Sequence, residues 1–283
     1  MKVGAHLWIE GGLLRTIEYC KYLKCNCFQI FLSNPRSWKR RYRDKYEIDR
    51  FKEEIEKMEI EPIVVHMPYI FNIAEENKKI KEKIIRFLEE EIEESIRIGA
   101  EYYVVHPGFH KGLTEERGLR NVIELLKNFV DTEIKILIEN TSGQGTSLGY
   151  NFKQLSYIVE RLNNNFAICF DIAHAFQSGY DMKNFENVRR NIEKFVDLSY
   201  ILLIHANDSK TKLGSKIDRH QHIGKGEIGE IGFEEIIKDE YFGNLPFIIE
   251  TPKATLKEDK KNIEILKRIG ERHGKISTSK NRD

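Results

Sequence analysis

An α/β fold, a single-domain TIM (β/α)8 barrel, is predicted by three observations. Short apolar runs alternate with longer segments of helical periodicity, eight of each. No linker or low-complexity stretch interrupts the series, and 283 residues suit a barrel, which commonly needs about 250.

The strand candidates, in order, are KVGAHLWI, NCFQIFL, EPIVVHM, EYYVVHP, IKILIEN, FAICFDI, YILLIHA and LPFIIET. They are rich in Val, Ile and Phe, as strands buried on both faces must be. The helical segments between and after them are Leu13–Lys24, Asp44–Met58, Glu75–Ile98, Thr114–Val130, Phe152–Leu162, Lys183–Asp197, Phe233–Lys238 and Leu256–Arg272. Asn and Gly cluster at the breaks. The barrel domain is expected to span 1–273, with 274–283 (GKISTSKNRD) as a flexible tail. A doubly wound open sheet is the competing arrangement. No glycine-rich phosphate loop follows any strand, which weakens its nucleotide-binding form.

Charged residues make up 32% of the chain, against the usual ~25%, mostly Lys and Glu paired along helix faces. The net charge of +1 gives no global basic signature, so nucleic-acid binding would need a local patch. No apolar run is long enough for a membrane span, and the N-terminus lacks a signal-peptide core. The four cysteines, Cys20, Cys25, Cys27 and Cys169, form no framework and read as packing residues. A cytoplasmic, intracellular protein is expected.

The chemistry gathers at the strand ends. His66, His106, Glu139, Asp171, His205 and Glu250 each close an apolar run, and His174 follows three residues after Asp171. A barrel brings all strand C-termini to one face, and the loop after the seventh strand adds Asp218 and His220 there. One such residue is usually a core histidine or a helix cap. Five His, two Asp and two Glu in one small cup are different, because like charges repel and burial adds cost. Bound divalent cations compensate. Nine ligands exceed one tetrahedral site, and three His/carboxylate sites would use them. In DRHQHIGKGEIG, alternation puts Asp218, His220 and His222 on one side with equal claims.

The motifs GAH, NPRSW, HMPY, HPG, IENTSGQG, FDIAHAF, HANDSK, DRHQHIGKGEIG and IET together resemble the endonuclease IV family of apurinic/apyrimidinic (AP) endonucleases, over nearly the whole chain. The resemblance implies three Zn2+, and the His/carboxylate chemistry leaves Mn2+ or Fe2+ as possible substitutes. It implies one metal on His66, His106 and Glu139, a second on Glu139, Asp171, His205 and Glu250, and a third on His174, Asp218 and His220. His222 is left as a neighbour. The implied reaction is hydrolysis of the phosphodiester 5′ to an abasic site in double-stranded DNA, by a monomer, with Glu139 as catalytic bridge.

The segment NPRSWKRRYRDK carries Arg36, Lys39, Arg40, Arg41, Arg43 and Lys45, interleaved with Trp38 and Tyr42. It reads either as a phosphate-gripping loop or as a solvated helix start. The resemblance implies that Arg36 inserts into the duplex and that Tyr69 and Ile70 fill the gap left by an extruded nucleotide. His6 is expected near the cup as a supporting residue.

Two other functions compete. A single-metal sugar isomerase or epimerase would need only Glu139, Asp171, His205 and Glu250, leaving His66, His106, Asp218 and His220 without purpose. A damage-binding protein with structural metals would favour Cys-rich sites.

Overall fold

Each apolar run becomes a parallel strand because the helix after it returns the chain to the same end of the sheet. The computed structural model describes residues 1–39 and 41–276; Arg40 and tail residues 277–283 lie outside the described residues. The strands are β1 (Lys2–Leu7), β2 (Cys27–Ile30), β3 (Ile63–His66), β4 (Tyr102–Val105), β5 (Lys135–Glu139), β6 (Phe166–Asp171) and β7 (Ile201–His205). A hairpin of β8 (Asp208–Ser209) and β9 (His220–Gln221) then precedes β10 (Pro246–Ile249). The barrel closes in the order β1-β10-β7-β6-β5-β4-β3-β2, parallel throughout.

The helices are α1 (Leu13–Leu23), α2 (Lys45–Lys57), α3 (Lys78–Arg97), α4 (Glu115–Leu126), α5 (Phe152–Val159), α6 (Ile172–Ser178), α7 (Phe185–Glu193), α8 (Gly229–Lys238) and α9 (Leu256–Arg272). Asp44, Asn77, Thr114, Asn151 and Thr255 cap α2, α3, α4, α5 and α9 with their side chains. Three features differ from the sequence expectation: the added β8–β9 hairpin and the starts of two helices. FDIAHAF is not only a strand end: α6 starts inside it, capped by Asp171, which accepts the His174 N–H at 2.6 Å. α8 starts at Gly229 rather than Phe233, because Asp208, distant in sequence, accepts the N–H groups of Ile228 and Gly229.

The barrel interior is a small apolar layer of Cys27, Val64, Val104, Leu137, Ala167, Cys169, Leu203 and Ile248, separate from the larger core between strands and helices. Full burial of each Val or Leu here contributes about 1.5–3 kcal/mol. On β1 the neighbouring place goes to Gly4. A Cβ there would meet the Cys27 carbonyl oxygen at 1.8 Å, so β1 approaches β2 only because the side chain is missing.

Candidate metal centre

Inward-facing residues alternate along a strand. Two positions after each inner place of β1–β7 and β10, at the strand's C-terminal end, stands a polar side chain: His6, Gln29, His66, His106, Glu139, Asp171, His205 and Glu250. Gly4, Cys27, Val64, Val104, Leu137, Cys169, Leu203 and Ile248 are their apolar or glycine counterparts one step below. The barrel thus changes from a sealed apolar plug to a polar cup within one repeat of the pleat.

The expected groupings come together. The ligand atoms of His66, His106 and Glu139 lie within 4.8 Å of one another, as do those of Glu139, Asp171, His205 and Glu250. His66 Nε2 and His106 Nε2 are both 3.2 Å from Glu139 Oε2, and His205 Nδ1 is 3.1 Å from Glu139 Oε1. The two carboxylate oxygens therefore face different histidines, the arrangement a bridge needs. In the third group, His174 Nε2 is 3.4 Å from both His220 Nε2 and Asp218 Oδ1, and His220 Nε2 is 3.6 Å from Asp218 Oδ1. Asp171 also falls within reach of His174 and His220, so it borders two groups.

Two buried atoms at the centre, Glu139 Oε1 and His205 Nδ1, make no hydrogen bond although they are 3.1 Å apart. Unpaired buried donors and acceptors are costly, and a cation between them would satisfy both. The outer ring nitrogens support this orientation. His66 Nδ1 bonds the Met67 carbonyl at 2.7 Å, His174 Nδ1 the Asn140 carbonyl at 2.9 Å, and His205 Nε2 the Gln29 Oε1 at 2.9 Å. Each leaves its other nitrogen facing the cup, the standard support for a metal-bound imidazole. The expected ligands offer carboxylate oxygen and imidazole nitrogen, which suits Zn, Mn or Fe, and Cys169 Sγ also lies within 4.8 Å of the Glu139 and His205 ligand atoms.

Gln29 and Asn140 carry no sequence expectation of their own, whereas Asn207 and Asp208 in HANDSK read as residues that could orient ligands or loops, with no role assigned. Gln29 donates to Glu250 Oε1 at 2.6 Å while accepting from His205, so one amide fixes two expected ligands. Asn207 donates to Asp171 Oδ2 and accepts the Glu250 N–H, both at 2.7 Å. Asn140 accepts the Asp171 N–H at 2.7 Å. Gln29 was recognisable: it sits two places after Cys27, in phase with the other strand-end polar residues. His6 meets its expectation, with Nδ1 3.3 Å from Glu250 Oε1.

Electrostatics bind the cup together. Burial opposes ionisation of Glu139, but His106 and His205, when protonated, hold its carboxyl well below the usual range; a bound cation would take the place of those protons. Burial likewise opposes a charge on Asp218, and His174 beside it outweighs that. The tie in DRHQHIGKGEIG is broken by geometry: Asp218 and His220 turn to His174, whereas His222 Nδ1 faces the Asn262 amide on α9 at 3.1 Å.

Beside the cup lies a cleft of about 830 Å³ whose walls include His6, Phe31, Arg36, Arg41, Tyr69 and Glu250. Arg36 is exposed, and Tyr69 is 59% exposed at the rim, its ring edge-on to Phe31. Ile70 is half-buried and packs on the core. The basic segment is less uniform than its composition suggests. Arg43 is not available to phosphate: it is 1% exposed, donates to the Leu32 carbonyl at 2.8 Å and lies 3.6 Å from Glu94. Trp38 lies against Phe71 and Phe87 rather than standing free. Lys45 starts α2 and pairs with Asp49.

The chain matches the family model described as xylose isomerase-like TIM barrel over residues 17–269. It is 40% identical to a protein of Aquifex aeolicus (strain VF5) named probable endonuclease 4, covering 94% of this chain and 96% of that one. The chain belongs to the endonuclease IV family. The crystal structure of endonuclease IV from Thermus thermophilus superposes with a TM-score of 0.86 at 31% identity, covering 96% of this chain and 100% of that one. A D-tagatose 3-epimerase-like protein shares the fold alone, with a TM-score of 0.74 at 24% identity, covering 97% of this chain and 98% of that one. Among the described residues no helix of this endonuclease IV family member is long and apolar enough to cross a membrane.

Proposed function

We propose that the protein is an AP endonuclease that hydrolyses the phosphodiester 5′ to an abasic site in double-stranded DNA, leaving a 3′-hydroxyl and a 5′-deoxyribose phosphate. The observation that carries this reading is the set of residues beyond a one-metal isomerase site. His66 and His106 converge on one oxygen of Glu139, and His174, Asp218 and His220 form a separate trio. Kinship at 40% identity with a protein named probable endonuclease 4 supports it.

His66, His106 and Glu139 would hold one Zn2+; Glu139, Asp171, His205 and Glu250 a second; His174, Asp218 and His220 a third, with Mn2+ or Fe2+ as substitutes. When bound, such ions lower the pKa of water towards neutrality and offset charge on the phosphodiester. Glu139 spans two sites and orients the attacking water. Arg36 and Tyr69 on the cleft rim, with Ile70 beside them, enter the duplex and stabilise an extruded nucleotide, whose extrusion costs least where the base is missing. The proposal includes one barrel domain through residue 273, acting as a monomer in the cytoplasm. The four cysteines, all free and buried, fit a reducing compartment.

The test is incubation of the metal-analysed protein with a duplex carrying one abasic site, beside an undamaged duplex and a ketose sugar. Incision at the abasic site alone is expected. Sugar isomerisation without incision overturns the reading.

A further inference from the structure

The two loop-borne residues of the third group, Asp218 and His220, lie on a long excursion from β7 rather than on a barrel strand. Its position traces to one side chain. Asp208 is fully buried just beyond β7 and accepts backbone N–H groups from Ser209, Gly224, Gly226, Ile228 and Gly229, at 2.8–3.4 Å. Both ends of the excursion therefore converge on one carboxylate. The glycines make this possible: a Cβ on Gly226 would lie 2.4 Å from Asp208 Oδ1 and 2.3 Å from the Ser209 carbonyl oxygen. Beside this anchor, β8 and β9 pair, bringing Ser209 opposite His220.

We infer that Asp208 is a positioning residue for the third metal group: its carboxylate closes the loop that presents Asp218 and His220 to His174. This rests on the three-site reading above. Charge and shape are both required. In Asp208→Asn one oxygen becomes an NH2 donor, which leaves backbone N–H groups facing a donor inside the protein.

The experiment compares wild type, Asp208→Asn and Gly226→Ala as metal-loaded full chains. It reads Zn2+ content and affinity, and amide hydrogen exchange across the chain. The expected result is exchange about tenfold or more faster at residues 218–229, with the barrel strands unchanged. Affinity for one of three Zn2+ equivalents falls about 10–100-fold while two remain. Gly226→Ala, which disturbs the same anchor from the loop side, reproduces the pattern should Asp208→Asn fail to fold. Unchanged loop exchange in the folded variants overturns the inference, as does loss of all metals together or equal loosening of the whole barrel. If wild type takes up fewer than three equivalents, the three-site reading fails, and the exchange comparison still decides whether Asp208 closes the loop.

Discussion

The cup has two halves that are built differently. Around Glu139, the expected ligands stand on barrel strands or, for His106 and Glu250, one residue past a strand end, and backbone pairing sets their positions. The His174–Asp218–His220 half combines a short helix with a loop, and hydrogen bonds set its position. Exposure does not follow the same division: in the second half Asp218 is 45% exposed but His174 only 3%, and around Glu139, itself 0% exposed, His106 is 27% exposed. Strand-borne ligands inherit the rigidity of the sheet, whereas loop-borne ones need their own anchors, Asp208 and also Gln144, which accepts the Asp218 N–H at 3.0 Å.

Metal removal should separate the halves most strongly. Chelation is expected to abolish abasic-site incision, with the equivalent at the loop-anchored His174–Asp218–His220 half leaving before those around Glu139. Metal analysis along a chelator titration checks this, and simultaneous release would erase the distinction. Next in size, Glu139→Gln is expected to slow incision about 10²–10⁴-fold with duplex binding retained. Single-turnover cleavage beside a gel-shift assay measures both, and near wild-type cleavage at full metal content would remove Glu139 from its proposed role. Gln29→Ala acts on the strand-borne half alone, by releasing His205 and Glu250. It is expected to weaken metal binding there about 10–100-fold and leave the third equivalent untouched. Calorimetric metal titration distinguishes that from a uniform loss. The smallest effect belongs to His222→Ala, about 1 kcal/mol of stability from the lost Asn262 contact, with metal content unchanged. A missing metal equivalent in that variant would make His222 a ligand after all.

Much of the strand-borne half was legible because burial and pleat leave a simple mark: an apolar run ending in a His or carboxylate. The same mark is present at Gln29, but an amide carries no charge or metal preference of its own to set it apart from a packing residue. The basic segment misled in part. Composition cannot tell an arginine that reaches solvent, such as Arg36, from one turned inward to Leu32 and Glu94, such as Arg43. Asp171 combines two roles, since it caps α6 and also borders two groups that could hold a metal ion.

By itself, the sequence determined the barrel and the end of it that carries the chemistry. Alternation and apolar periodicity are local properties, repeated in eight strand–helix segments, and the barrel is the closed form they favour. Only the tertiary structure decided how Glu139 divides its two oxygens, why His222 turns away while Asp218 and His220 turn in, and what Asp208 is for. Those answers depend on atoms far apart in the chain meeting within about 3 Å, a separation set by packing and hydrogen bonding between elements.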